Sequence, residues 1–161
     1  MAEVVELKPN DRAPVFTLKD SHEKSVSLVD FKGTWVVLYF YPQDDTPGCT
    51  VEAIAFTKYV KEFEAAQAAV IGVSPDSCAS HVAFTGKYGL AVTLLSDPDH
   101  HALGPYGVWR LKNAYGKTYW GVHRSTFLLR PDGVVAHAWY GVKAEGHAEE
   151  VLKTLKSLKG V

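Results

Sequence analysis

Tyr39-Phe40-Tyr41-Pro42-Gln43-Asp44-Asp45-Thr46-Pro47-Gly48-Cys49-Thr50-Val51-Glu52 is the stretch whose reading decides the fold. The apolar run from Trp35 to Tyr41 stops at a proline, as a buried strand bounded by turn residues does. Past the turn, Phe56, Tyr59, Val60 and Phe63 repeat at the spacing of one helical face, predicting a helix from about Thr50 to Gln67. Cys49 therefore stands at a helix N-terminus, just beyond the end of a core strand.

Working outward, residues 69–73 (Ala-Val-Ile-Gly-Val) read as a second buried strand. Ser74-Pro75 reads as a cap and first helical residue, opening a helix through about Lys87 with Gly89 as its stop. Val92 to Leu95 is a short strand, and Asp97-Pro98 opens a short helix ending near Gly104 to Gly107. This β-α-β-α order implies a parallel sheet with right-handed crossovers. On the N-terminal side, Phe16 to Leu18 and Val26 to Leu28 form a hairpin around Ser21-His22-Glu23-Lys24. On the C-terminal side, residues 108–123 show no period and read as an aromatic-rich loop. Ser125 to Leu129 and Val134 to Trp139 flank a Pro131-Asp132-Gly133 turn as an antiparallel hairpin. Ala148, Val151, Leu152 and Leu155 mark an amphipathic last helix, with Gly160 beyond its end. The expectation is one α/β domain over residues 1–161 with a thioredoxin-like fold: a central mixed sheet flanked by helices, and an N-terminal hairpin.

The 161 residues suffice for a core without covalent staples. With 17 basic against 18 acidic residues and no basic block, nucleic acid and anionic membrane are poor partners. The N-terminus has no hydrophobic signal region and no run approaches a membrane span, so a cytoplasmic protein is expected. Among seven histidines, His100-His101 point apart on a helix, and no third ligand recurs at metal spacing. Asp44 and Asp45 read as solvated loop charges, and the Trp109, Tyr115, Tyr119, Trp120 cluster as a packed loop.

The two cysteines, Cys49 and Cys78, form no C-x-x-C motif. Only a thiolate is a competent nucleophile, and an ordinary thiol is a few per cent ionised at neutral pH. Lowering a thiol by roughly 2.5 units takes about 3.4 kcal/mol, whereas a helix N-terminus contributes about 0.3–1 and at most ~2 kcal/mol. A further cation or donor set is required, which spacing does not identify. Thr46 stands where a C-x-x-C motif has its first cysteine, so single-thiolate chemistry is favoured over dithiol exchange. Gly48 lets the backbone approach a bound atom closely, and Pro42 and Pro47 restrict the loop.

Tyr-Pro-x-Asp-x-Thr-Pro-Gly-Cys-Thr-x-Glu-Ala resembles the active-site signature of the peroxiredoxins, in particular the Q type, also called bacterioferritin comigratory proteins. Asp11-Arg12-Ala13-Pro14, Ser74-Pro75-Asp76-Ser77, Ser80-His81, Leu94-Leu95-Ser96-Asp97, Tyr106-Gly107-Val108-Trp109 and Arg124-Ser125-Thr126-Phe127 match that family in order, over nearly the whole chain. The resemblance implies a thiol peroxidase that reduces hydrogen peroxide and organic hydroperoxides without metal, haem or flavin. It implies a monomer recycled by thioredoxin or a similar dithiol. Cys49 is then the peroxidatic cysteine, Thr46 a hydrogen-bond partner of sulfur and peroxide, Pro42 a shield, and Arg124 the missing cation. Glu52 matches a family glutamate that orients polar groups.

Many Q-type members carry a resolving cysteine five positions after the first; here that position is Ile54. Other members place it in the next helix, where this chain has Cys78. The expectation is an intramolecular Cys49–Cys78 disulfide, formed after the first turn of the Cys49 helix unwinds. The alternatives are a one-cysteine peroxidase resolved by an external thiol, a thiol–disulfide oxidoreductase, or a redox sensor.

Overall fold

The computed structural model describes residues 4–160. Its frame is a seven-stranded mixed sheet of β1 (Thr17–Asp20), β2 (Ser25–Ser27), β3 (Trp35–Phe40), β4 (Ala68–Ser74), β5 (Thr93–Ser96), β8 (Ser125–Leu129) and β9 (Val135–Tyr140). The order across the sheet is β2-β1-β5-β4-β3-β8-β9. β3, β4 and β5 are mutually parallel, and β8 runs antiparallel to β3. The expected N-terminal hairpin lies at one edge, and the β8–β9 hairpin closes the other.

Alternate residues of β3 serve two cores. Val37 and Tyr39, with Tyr41 just past the strand, face a layer containing Phe56, Phe63, Phe84 and Leu155. Those four side chains come from α1 (Pro47–Lys58), α2 (Val60–Ala65), α3 (Cys78–Tyr88) and α4 (His147–Lys159) respectively. All four helices therefore share one face. For α1, α2 and α3 the reason is topological: the steps from β3 to β4 and from β4 to β5 go the same way, and right-handed crossovers then fall on the same side; α4, after the last strand, packs onto that same layer. Val36, Leu38 and Phe40 face the other core, with Leu28, Leu103, Tyr106 and Phe127.

Four expectations are corrected. The helix behind Cys49 starts at Pro47 rather than Thr50, and it breaks at Tyr59 (φ −100°, ψ 6°) into α1 and α2. Ser74-Pro75 does not open the next helix. Ser74 is still paired in the sheet, opposite Ser96, and Ser77 caps α3 by accepting the Ser80 N–H at 3.1 Å. Residues 98–107 form successive turns rather than a helix. The buried Asp97 carboxylate accepts the amides of His101, Ala102 and Leu103, competing with backbone acceptors. Finally, the aromatic loop is a hairpin, β6 (Trp109–Ala114) with β7 (Lys117–Val122). Tyr115 and Gly116 join its strands, both with positive φ (54° and 75°), as a two-residue type I′ turn requires.

Candidate active site

β3 delivers the chain into the loop 41–46, and Thr46 occupies the N-cap position of α1, with Pro47 as first helical residue. Cys49 is thus in the first turn of α1, only 1 % exposed. Its helix is held to the sheet by Phe56, whose ring stacks on Tyr39 at 4.6 Å. An aromatic pair of this kind adds about 0.5–1.5 kcal/mol beyond burial.

Arg124 comes from the far end of the chain by register. Ser125 pairs with Phe40 across β3 and β8, so the residue before β8 comes level with the exit of β3. There one guanidinium nitrogen of Arg124 donates to Cys49 Sγ at 3.3 Å and the other to Glu52 Oε1 at 2.6 Å. Glu52 is one turn beyond Cys49 on α1 and fully buried. Gly48 is what makes room: a Cβ there would stand 3.0 Å from Arg124 Nη2.

The electrostatics follow from burial. It pushes the Glu52 carboxyl up to about 7, although the Arg124 guanidinium pulls the other way. Burial also opposes the charge on Arg124, but Glu52 and the Cys49 sulfur outweigh it and hold that guanidinium above its usual pKa. Desolvation, followed by the nearby Glu52 and Cys49, raises the Tyr39 hydroxyl well above the ordinary phenol value. The Tyr39 and Thr50 hydroxyls and Glu52 Oε2 are buried with no hydrogen-bond partner among the described residues.

The Thr46 hydroxyl donates to the Gln43 carbonyl at 2.8 Å and neither caps α1 nor bonds the sulfur. Having given its proton away, it retains lone pairs that accept. Pro42 is partly exposed at the loop entrance. Cys78 begins α3, partly exposed and unbridged to Cys49. A cavity of about 370 Å³ opens between Leu28, Phe31 and Leu129 and holds none of these residues.

The AhpC/TSA family model matches residues 9–138. Peroxiredoxin Bcp of Bacillus subtilis is 44 % identical over 147 residues, covering 91 % of this chain and 94 % of its own. The chain belongs to the peroxiredoxins. It is therefore a thiol peroxidase, as the motif resemblance implied. Among solved structures, a peroxiredoxin Q cysteine-to-serine variant from Xylella fastidiosa is similar at TM-score 0.91 and 37 % identity, covering 96 % of this chain and 99 % of its own. The Xanthomonas campestris bacterioferritin comigratory protein, a protein with alkyl peroxide reduction activity, has TM-score 0.85 at 42 % identity over 96 % of this chain and 98 % of its own. These neighbours share the thioredoxin-like plan.

The structure corrects one reading of the motif. Asp44 is not a solvated loop charge; it is 8 % exposed and anchors a buried network. Its carboxylate accepts the Tyr41 hydroxyl at 2.6 Å and the Ser80 hydroxyl at 2.8 Å, with His81 Nδ1 at 2.7 Å. The signal was present in the Tyr-Pro-x-Asp and Ser80-His81 matches, but nothing in sequence joined them. Asp45 does lie at the surface, where it pairs with Lys87 and Tyr88. No helix among the described residues is long and apolar enough to cross a membrane.

Proposed function

We propose that Cys49 reduces hydrogen peroxide and organic hydroperoxides, with the Arg124 guanidinium 3.3 Å from its sulfur as the observation that carries this reading. The guanidinium donates a hydrogen bond to the sulfur and places a fixed positive charge beside the reacting atom. The sulfur attacks the terminal peroxide oxygen, an S–O bond forms and the O–O bond breaks. The departing alkoxide or hydroxide takes a proton and leaves as alcohol or water, and Cys49 is oxidised to the sulfenic acid. Thr46 accepts the peroxide O–H through the lone pairs it keeps while donating to Gln43. Arg124 donates to the charge developing on the breaking O–O bond. Pro42 borders this space and shields the sulfur from bulk water.

Cys78 then attacks the sulfenic sulfur, hydroxide leaves and is protonated to water, and a Cys49–Cys78 disulfide forms. Support comes from α1 and α3 sharing one face, each starting where a parallel strand ends. Because Cys49 is almost wholly buried, the first turn of α1 has to open for the sulfurs to meet. Thioredoxin or a similar dithiol reduces the disulfide. We assign this cycle to a monomer in the reducing cytoplasm.

The test is peroxide consumption by pre-reduced protein, followed by a non-reducing peptide map after one equivalent of peroxide. Cys49→Ser is expected to abolish consumption, and the map to show Cys49 joined to Cys78. Undiminished consumption by Cys49→Ser would overturn the reading. A second reading, resolution by an external thiol, is favoured by one observation: Cys49 is buried in α1 while Cys78 stands unbridged and partly exposed on a separate helix. Normal thioredoxin-supported turnover of Cys78→Ser would select that second reading.

A further inference from the structure

The polar cluster centred on Asp44 has no part in the chemistry described above, yet it is better ordered by hydrogen bonds than the thiol itself. The Asp44 carboxylate lies in the loop between β3 and α1, and three of its partners are Tyr41, Ser80 and His81. Its backbone N–H donates to Asp76 Oδ2 at 2.7 Å, and that oxygen also accepts the Ser74 hydroxyl. Ser80 and His81 belong to the first turn of α3, the turn that starts with Cys78.

His81 is completely buried, and both ring nitrogens face oxygen. Nε2 lies 2.9 Å from the Leu95 carbonyl, which can only accept, so Nε2 carries a hydrogen. Nδ1 faces Asp44 Oδ2 at 2.7 Å, an oxygen that already accepts from Ser80. One hydrogen between ring and carboxyl therefore joins the two side chains as a buried hydrogen-bonded pair. Such a bond is strong while intact, and losing one partner leaves the other desolvated. Asp45, next in sequence, adds a surface tie to Lys87 and Tyr88 at the other end of α3, of the kind that contributes little by itself.

We propose that Asp44 is the positioning residue of the peroxidase loop. Its buried carboxylate clasps residues 42–46 to α3 while Cys49 meets peroxide, and it must release Ser80 and His81 before Cys49 can reach Cys78. The clasp holds Thr46 in place and opposes the opening that disulfide formation needs. This inference rests on Cys49 as the reacting thiol, and its release step also rests on Cys78 as the resolving one. Ser80 and His81 connect the two halves because they share a helical turn with Cys78.

The experiment compares Asp44→Asn with the wild-type chain in three measurements. These are hydrogen exchange of the amides of residues 43–46 and 48–50, the second-order rate of Cys49 oxidation, and the rate of disulfide formation by rapid-quench mass spectrometry. The expected result is faster exchange, peroxide oxidation slower by roughly tenfold and disulfide formation faster, the size of one buried hydrogen bond lost. A merely structural role would not move the two chemical steps in opposite directions. Unchanged exchange, or both steps slowed together, overturns the proposal. If no Cys49–Cys78 disulfide forms even in wild-type protein, the release step is lost with the resolution reading, while exchange and oxidation still decide the clasp. Should Asp44→Asn not fold, Ser80→Ala deletes one bond of the cluster and is expected to give the same signs at smaller size.

Discussion

Arg124 and Cys49 are 75 residues apart in sequence, yet a guanidinium nitrogen of one lies 3.3 Å from the sulfur of the other. The contact exists because β8 is antiparallel to β3 and α1 starts directly after β3. Nothing local to either residue creates it.

Replacing Arg124 with alanine removes that donor and leaves Glu52 buried without its cation. Hydrogen bonds to charged groups contribute roughly 1.5–3 kcal/mol, so the second-order rate of Cys49 oxidation is expected to fall by about ten- to hundredfold in stopped-flow measurements. Arg124→Lys keeps a charge but not the fork that reaches Glu52 and Cys49 together, and is expected to lie between. Wild-type rates in the alanine variant would remove Arg124 from the mechanism.

Glu52 links stability to pH with a definite sign. Its carboxyl is raised from 4.5 to about 7 in the fold. Between those values the folded protein holds a proton that the unfolded chain has released, so stability falls as pH rises through that window. The slope is at most about 1.4 kcal/mol per pH unit. Urea unfolding at pH 5 and pH 7.5 is expected to show a loss in wild-type protein that is reduced in Glu52→Gln. Equal losses in the two proteins would show that Glu52 is not the group responsible.

Gly48→Ala separates stability from activity. Alanine favours a helix over glycine by up to about 1 kcal/mol, but its Cβ would crowd Arg124 Nη2 at 3.0 Å. The variant is expected to melt no lower than wild type while Cys49 oxidation slows several-fold. A thermal scan paired with peroxide kinetics checks both halves.

Gly72 is a packing glycine in the centre of β4. A Cβ there would come within 2.6 Å of the Tyr39 ring, on the neighbouring strand. Gly72→Ala is expected to destabilise the fold by about 1–3 kcal/mol, the usual cost of overpacking, measured by denaturant unfolding.

Elements whose burial is regular were legible from residue order. The continuous apolar run at residues 35–41 has to be a covered strand, and Ala148, Val151, Leu152 and Leu155 have to be one face of a helix. The β6–β7 hairpin escaped because Leu111, Tyr119 and Trp120 are exposed, so no alternation marks its strands. The break at Tyr59 escaped because α1 and α2 bury the same face, and the apolar spacing runs on through the interruption.

By itself the sequence determined the chemistry available: a lone cysteine at a helix start, a hydroxyl three residues before it, and a loop stiffened by two prolines. It also determined the parallel core, since periodicity and turn residues act over a few positions. Only tertiary structure decided which charges meet that cysteine. Strand order and register bring Arg124 to the thiol, burial holds the proton on Glu52 up to about 7, and packing turns Asp44 from a surface charge into a buried anchor for α3. Electrostatics depends on distance and solvent exclusion in space, and neither is written in the spacing of residues along the chain.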